Sequence, residues 1–420
     1  MNETLPPHDR EILRRRAARR VDLAHDPVNA ERRAAWLKHD AGSGGRTMIL
    51  AEFEGVGDAA RPLPDTLLEC TDPWARAVER SFLRDDYLFN VLRDDHVIEP
   101  WFDFSWGVKT SDYGVQAVVH NGDNAAYLGA RRWDPPITDL DRDFDKLHPR
   151  TFTVHRAGVL AEKTRLEDLF GDLLPVRFRC GYYWTMGLTI VAIDLIGLEQ
   201  LMLYMFDNPA GLHRLMAFLR DDHLAFMQWL EREGLYSLNN ENDYIGSGSM
   251  GYSRALPAAD WRPGQPVRTK DLWVLCESQE TVGVGPDQFE EFIFPYQLDL
   301  VSRFGRCYYG CCEPVNNRMQ ILQRLPNLAR ISVSPWADEA RMAALCGTRI
   351  VYSRKPNPAQ ISTAVFDEDA IRAGLRRTLD TARGCRVELI MKDVHTLHEQ
   401  PARLPRWVQL ARECSAGRND

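Results

Sequence analysis

The sharpest chemical signal in this 420-residue sequence is the run Tyr308-Tyr-Gly-Cys-Cys-Glu-Pro314. Two adjacent thiols with a carboxylate beside them suit a soft divalent ion such as zinc, since thiolate sulfur is a ligand such ions prefer. The pair reads equally as two packed thiols, because free cysteine is among the most buried residue types. His395 is the candidate third metal ligand. It follows Asp393 by two, which puts both side chains on one face of an extended segment. Glu277 and Glu280 are placed to supply a general base or an oxygen ligand, or else to hold Lys355 or Lys392 in an ion pair. Arg354, Lys355 and Lys392 concentrate positive charge in an acidic chain, as an anionic group on a substrate or cofactor would require.

The elements that must position these residues alternate. From about residue 237, short apolar strands are predicted at Ser237–Tyr244, Leu272–Glu277, Arg306–Cys312, Arg330–Ser334, Arg349–Ser353 and Val387–Asp393. Helical patterns lie between them, at Gln288–Gly305, Asn317–Leu325, Glu339–Gly347, Asp367–Gly384 and finally Leu404–Glu413. Asp287 and Asp367 mark helix starts, while Gly305, Gly347 and Gly384 mark stops. Strand, helix, strand at this spacing implies right-handed crossovers and a parallel sheet. Ile98–Trp106 and Leu174–Arg179 bring the strand count to eight, so the expected fold is α/β, a (β/α)8 TIM barrel. Residues 1–95 read as a mostly helical N-terminal extension packed on the barrel, with one short strand at Arg46–Phe53, and residues 96–420 as the barrel. The glycine-rich run Gly246–Gly251 is not followed by a helical pattern and reads as a loop, not a dinucleotide turn.

Chemistry in such a barrel comes from the C-terminal ends of the strands. Each predicted strand does run from apolar into polar or ionisable residues at that end. Asn242, Glu280, Cys311, Trp336, Lys355 and Asp393 belong to six successive ends. Glu280 and Asp393 are candidate catalytic residues, and Lys355, Trp336 and Asn242 are candidates for holding a cofactor. The aromatic stretches Trp101–Trp106 and Tyr182–Trp184 either line the funnel or belong to the core.

Composition narrows the function classes. The chain carries 52 basic and 60 acidic residues, a formal charge of −8, which argues against a general nucleic-acid binder because such proteins need a basic surface. The most apolar run, Gly187–Phe206, is interrupted by Asp194, Glu199 and Gln200, which are costly in lipid. The first residues contain no apolar stretch of the kind that directs secretion. The expectation is a cytoplasmic protein whose nine cysteines are mostly reduced.

Several of these segments together resemble the uroporphyrinogen decarboxylase superfamily: Gly283–Pro295, the Tyr-Gly-Cys-Cys-Glu-Pro turn, Ser332–Asp338, Lys392–Thr396, and Gly197–Pro209 leading into the helix Leu212–Glu233. The resemblance covers roughly residues 165–415 and implies a (β/α)8 barrel. The decarboxylases of that superfamily work without a cofactor and carry an arginine-rich Met-Arg-Gln-Ala-Gly-Arg motif, which this sequence lacks. The sequence is more similar to the methylcobamide:coenzyme M methyltransferase branch, which binds zinc through a His-x-Cys pair and a later cysteine. Here Tyr309-Gly310-Cys311 occupies the His-x-Cys position, and His395 rather than a cysteine falls at the last strand end. The resemblance therefore implies a rearranged zinc site of Cys311, Cys312 and His395. Tyr309 is then a candidate catalytic residue, able to bind or protonate a substrate oxygen. It also implies a corrinoid carried on a separate partner protein, because no corrinoid-binding domain is evident. The expected function is a metal-dependent, corrinoid-linked methyltransferase or demethylase acting on a small molecule. The alternatives are a cofactor-free decarboxylase or lyase, and a noncatalytic binding barrel.

Overall fold

The computed structural model of the chain describes residues 5–42, 44–121, 131–179, 181 and 185–417. Six short apolar runs form one parallel sheet. They are β1 (Met48–Ala51), β2 (Trp273–Cys276), β3 (Arg306–Tyr309), β4 (Leu328–Val333), β5 (Val351–Arg354) and β6 (Val387–Met391). Their spatial order is β1-β6-β5-β4-β3-β2, and every neighbouring pair is parallel. The fold class is α/β. Strands β2 to β6 lie side by side in chain order, while β1 joins the far edge from the helical N-terminal segment. Residues 1–95 thus supply a strand of the sheet as well as the helices Pro7–Ala24, Pro27–Ala41 and Pro73–Tyr87.

Six strands rather than eight share one hydrogen-bonded sheet among the described residues, an arrangement with which a barrel is compatible. The predicted strands Ile98–Trp106 and Leu174–Arg179 do pair with each other, but only as a separate parallel ladder of Phe102–Phe104 with Val176–Phe178. Ser237–Tyr244 makes no backbone ladder before Tyr244. Asn239 instead brackets Trp273 with its side-chain amide, accepting from the Trp273 N–H at 2.8 Å and donating to its carbonyl at 3.0 Å. Short amide side chains offer the backbone such an alternative to a ladder. The glycine-rich run forms a small antiparallel hairpin, Tyr244–Gly246 against Ser249–Met250.

Helix boundaries follow local chemistry. The carboxylates of Asp338 and Asp367 accept the backbone N–H groups of Arg341 and Ala370 at two helix N-termini, as the sequence predicts for Asp367. The predicted Gln288–Gly305 helix breaks into Pro286–Phe292 and Phe294–Val301, since Pro295 has no N–H to continue the first. Asp287 lies one position inside the helix, behind Gly285 and Pro286. The apolar run Gly187–Phe206 is likewise two helices, Thr189–Ile196 and Leu198–Asp207, bent by 93°. Among the described residues no single helix is long and apolar enough to cross a membrane.

Side chains alternate across a strand, and this sheet uses the alternation to separate two environments. One face, with Ile49, Val274, Cys307, Tyr309, Ile331 and Leu389, joins the large apolar core beneath the helices. The opposite face carries Tyr308, Arg330, Ser332, Ser353 and Glu388, all buried and all polar. Arg330 anchors that interior layer. Its guanidinium donates to Ser249 Oγ at 2.6 Å and the Met250 carbonyl at 2.7 Å, and it pairs with Asp40 at 3.1 Å and Glu388 at 3.6 Å.

A candidate active site at the strand ends

Continuing the polar face one step past each strand's C-terminus brings Glu52 after β1, Glu277 after β2, Lys355 after β5 and Lys392 after β6 to the same end of the sheet. The turn after β3 adds the two thiols. Its shape is fixed from below: Glu313 accepts the Cys311 N–H at 2.8 Å and the Ser278 N–H at 3.0 Å, and Ser332 Oγ donates to the Cys311 carbonyl at 2.6 Å. The hairpin Tyr244–Met250 lies over the polar face, and its glycines permit the close approach. A Cβ on Gly246 would stand 2.7 Å from the Tyr308 ring, and one on Gly248 2.5 Å from Ile390, at φ +89°. This is what the glycine-rich run is for.

Cys311 is the centre of the cluster. Its Sγ lies 3.5 Å from Cys312 Sγ and 3.9 Å from Ser247 Oγ, and Lys392 Nζ reaches the same Ser247 Oγ at 3.4 Å. Cys311 is buried and Cys312 exposed. The Cys312 thiol aimed at its sulfur brings Cys311 down to about 7 against the opposing effect of burial, with Lys392 and Ser247 acting in the same direction. Burial alone would lower Lys392, but Glu52 and then Cys311 outweigh it and hold the ammonium charged. Glu52 itself is raised by its burial. Beneath them Lys355 donates to the Tyr308 hydroxyl and to Ser353 Oγ, with no carboxylate in ion-pair contact among the described residues. Burial, assisted by Lys392, lowers it to about 7. Glu277, fully buried with Oε1 unpartnered, is raised to about 9 by burial, then by Glu280 and Glu313.

The candidates from sequence separate into those the structure gathers and those it does not. Cys311, Cys312, Asp393 and Lys355 are together: Cys312 Sγ lies 3.5 Å from Asp393 Oδ2, Asp393 Oδ1 lies 3.8 Å from Lys392 Nζ, and the charges of Lys392 and Cys311 act on Lys355. Glu280 stands next to Glu277 and accepts from Thr189 Oγ1 at 2.6 Å. Trp336 is 69% exposed at the rim. Asn242 ties its loop to the Val97 carbonyl at 2.9 Å. Tyr309 faces away, into the helix-side core, where its hydroxyl donates to Gln297 Oε1 at 2.9 Å. The period of two gives the polar face to Tyr308 instead. His395 is exposed beside Gly55 and does not join the thiol pair. Phe102 and Phe104 pack in core beside Phe170 and Phe178, whereas Tyr182–Trp184 lie outside the described residues. Reasoning from sequence left out Glu52, Ser247 and Tyr308. Glu52 was findable, because it lies at the C-terminal end of the predicted strand Arg46–Phe53, where the same rule singled out the others.

A catalytic zinc ion keeps three protein ligands. Among the described residues no group of three or more His, Cys, Asp or Glu side chains is arranged to hold a metal ion. The side chains present do not fit the expected zinc site, and the positive charge beside Cys311 comes from Lys392. Eight described cysteines are free thiols.

No protein-family model and no curated protein matches the sequence. Among solved structures, a methyltransferase from Methanosarcina mazei aligns over 91% of this chain and 98% of its own length, at 12% identity and a TM-score of 0.48.

Proposed function

We propose that this chain is an enzyme that transfers a methyl group to or from a small molecule, at a site built on the C-terminal ends of the sheet strands. The observation that carries the reading is the cluster of Cys311, Ser247 and Lys392 beside the exposed thiol of Cys312. The sequence resemblance to the methyltransferase branch adds to it. In the proposed reaction the Cys311 thiolate takes the proton from the acceptor's thiol or hydroxyl, and the acceptor anion attacks the methyl carbon as the bond from that carbon to the donor breaks and its electron pair stays with the donor. Lys392 offsets the negative charge that builds up, and Lys355 offers a second cation or a neutral amine to an anionic group of the substrate. A corrinoid on a separate protein would supply or accept the methyl group. The exposed rings of Trp336 and Tyr244 at the same strand ends suit a flat macrocycle presented from outside.

The barrel belongs to the same proposal. Side-chain and loop contacts run around the gap between the two sheet edges. The Asp95 N–H donates to the Ile49 carbonyl of β1 at 2.8 Å. Arg177 and Arg179 join the Val176–Phe178 strand to Glu241 and Asp243. Asn239 then reaches β2. We read this ring as a (β/α)8 barrel of a cytoplasmic enzyme.

The test is to mix the protein with methylcobalamin and small thiols, or with reduced cobalamin and methylated donors, and follow the cobalt absorbance. A change that needs the protein and one partner compound is expected. Carbon dioxide release from a carboxylated substrate, with no cobalt change for any partner, would assign the site to a decarboxylase instead.

A further inference from the structure

We propose that Cys311 and Cys312 form a reversibly oxidisable dithiol that closes into a disulfide between neighbouring residues when a hydroperoxide reaches the strand-end site. The inference goes beyond methyl transfer and stands on sulfur geometry, whatever the site turns over. The two Sγ atoms are already 3.5 Å apart. Access is graded: Cys312 is exposed, while Cys311 is 6% exposed, with Ser247 and Lys392 around it. Cys276 and Cys307 neighbour each other but are sealed inside strands, Cys346 neighbours Cys385 away from the strand-end site, and Cys70 and Cys414 are buried among helices. The failure to assemble a three-ligand metal site leaves both sulfurs available for this chemistry.

Cys311 sulfur attacks one peroxide oxygen, so that an S–O bond forms, the O–O bond breaks, and water or an alcohol leaves with a proton from solvent. Cys312 sulfur then attacks the Cys311 sulfur. The S–S bond forms, the S–O bond breaks, and hydroxide leaves with the Cys312 proton as water. Two electrons pass from the thiols to the peroxide. Consecutive Cα atoms are only about 3.8 Å apart across a trans peptide, below the roughly 4.4 Å at which ordinary disulfides begin. The product is therefore strained and readily reduced, as labile, regulatory disulfides are. It would remove both thiols from the site until a dithiol restores them.

The experiment treats the full-length protein with hydrogen peroxide, quenches in acid, labels free thiols with N-ethylmaleimide in denaturant, and maps the tryptic peptide running from Cys307 to Arg318 by mass spectrometry. Expected is a peptide with one maleimide, on Cys307, that lacks the two thiol hydrogens of Cys311 and Cys312. Dithiothreitol before labelling should restore three maleimides. In Cys312→Ala the same treatment should leave a sulfenic acid on Cys311 that dimedone tags. Three maleimides after peroxide, a bond that includes Cys307, or direct passage to sulfinic acid in the wild type would each overturn the proposal. None of these readouts depends on turnover, so they fail or succeed separately from the methyl-transfer assay.

Discussion

Replacing Cys311 with serine is expected to lower kcat for methyl transfer by on the order of a hundred- to ten-thousandfold, the range over which a positioned general base acts. A serine hydroxyl fits the space but stays protonated throughout the working pH range, so it cannot take the acceptor's proton. The wild-type rate should fall as pH drops through about 7, where the Cys311 thiolate is protonated. That acid limb should vanish in Cys311→Ser, leaving a low and flat profile. Binding should change little, because the proposed site holds the substrate through Lys392, Lys355 and the rim and not through Cys311. A serine variant with wild-type kcat and an intact acid limb would remove Cys311 from the reaction.

The second large effect concerns the layer beneath the site. Arg330 is fully buried inside the sheet and answers the charges of Asp40 and Glu388. Arg330→Met is expected to destabilise the protein by about 3–5 kcal/mol, because a buried carboxylate left without its partner keeps the whole cost of its desolvation. The urea midpoint should fall accordingly. Asp40 retains the ion pair with Arg306 at 3.0 Å, whereas Glu388 keeps a hydrogen bond from Ser249 Oγ and the more distant charge of Lys355, so most of the loss should come from Glu388. Adding Glu388→Gln should then recover part of the stability. If the double variant is as unstable as the sum of the two single ones, the pair is not coupled as the distances imply.

Much of the scaffold was legible before the structure. The short apolar runs of β2 to β6, alternating with helical patterns, are a strong signal, and they also pointed to the end of the sheet where Glu277, Cys311, Lys355 and Lys392 gather. Three things were not legible. Tyr308 and Tyr309 are adjacent, and choosing the one that faces the site needs the strand register, which a one-residue slip inverts. The Asn-rich stretch before Tyr244 looked like a strand, but its amides spend themselves on Trp273, a contact across more than thirty residues that local pattern does not reveal. His395 followed the last strand as a ligand should. The chain turns at Asp393, which has φ +58°, and an exposed histidine two residues on need not keep the strand's direction.

The reactive state of Cys311 can be measured directly. The rate of its alkylation by iodoacetamide, assigned to the residue by mass spectrometry and followed against pH, should rise with a midpoint of about 7 in the wild type. The midpoint should move up toward the ordinary thiol value in Lys392→Met, and further in Cys312→Ala, since the neighbouring thiol is the larger influence on the sulfur. A wild-type midpoint already at the ordinary thiol value, unmoved in both variants, would mean that no thiolate waits at the strand ends and would contradict the proposed site.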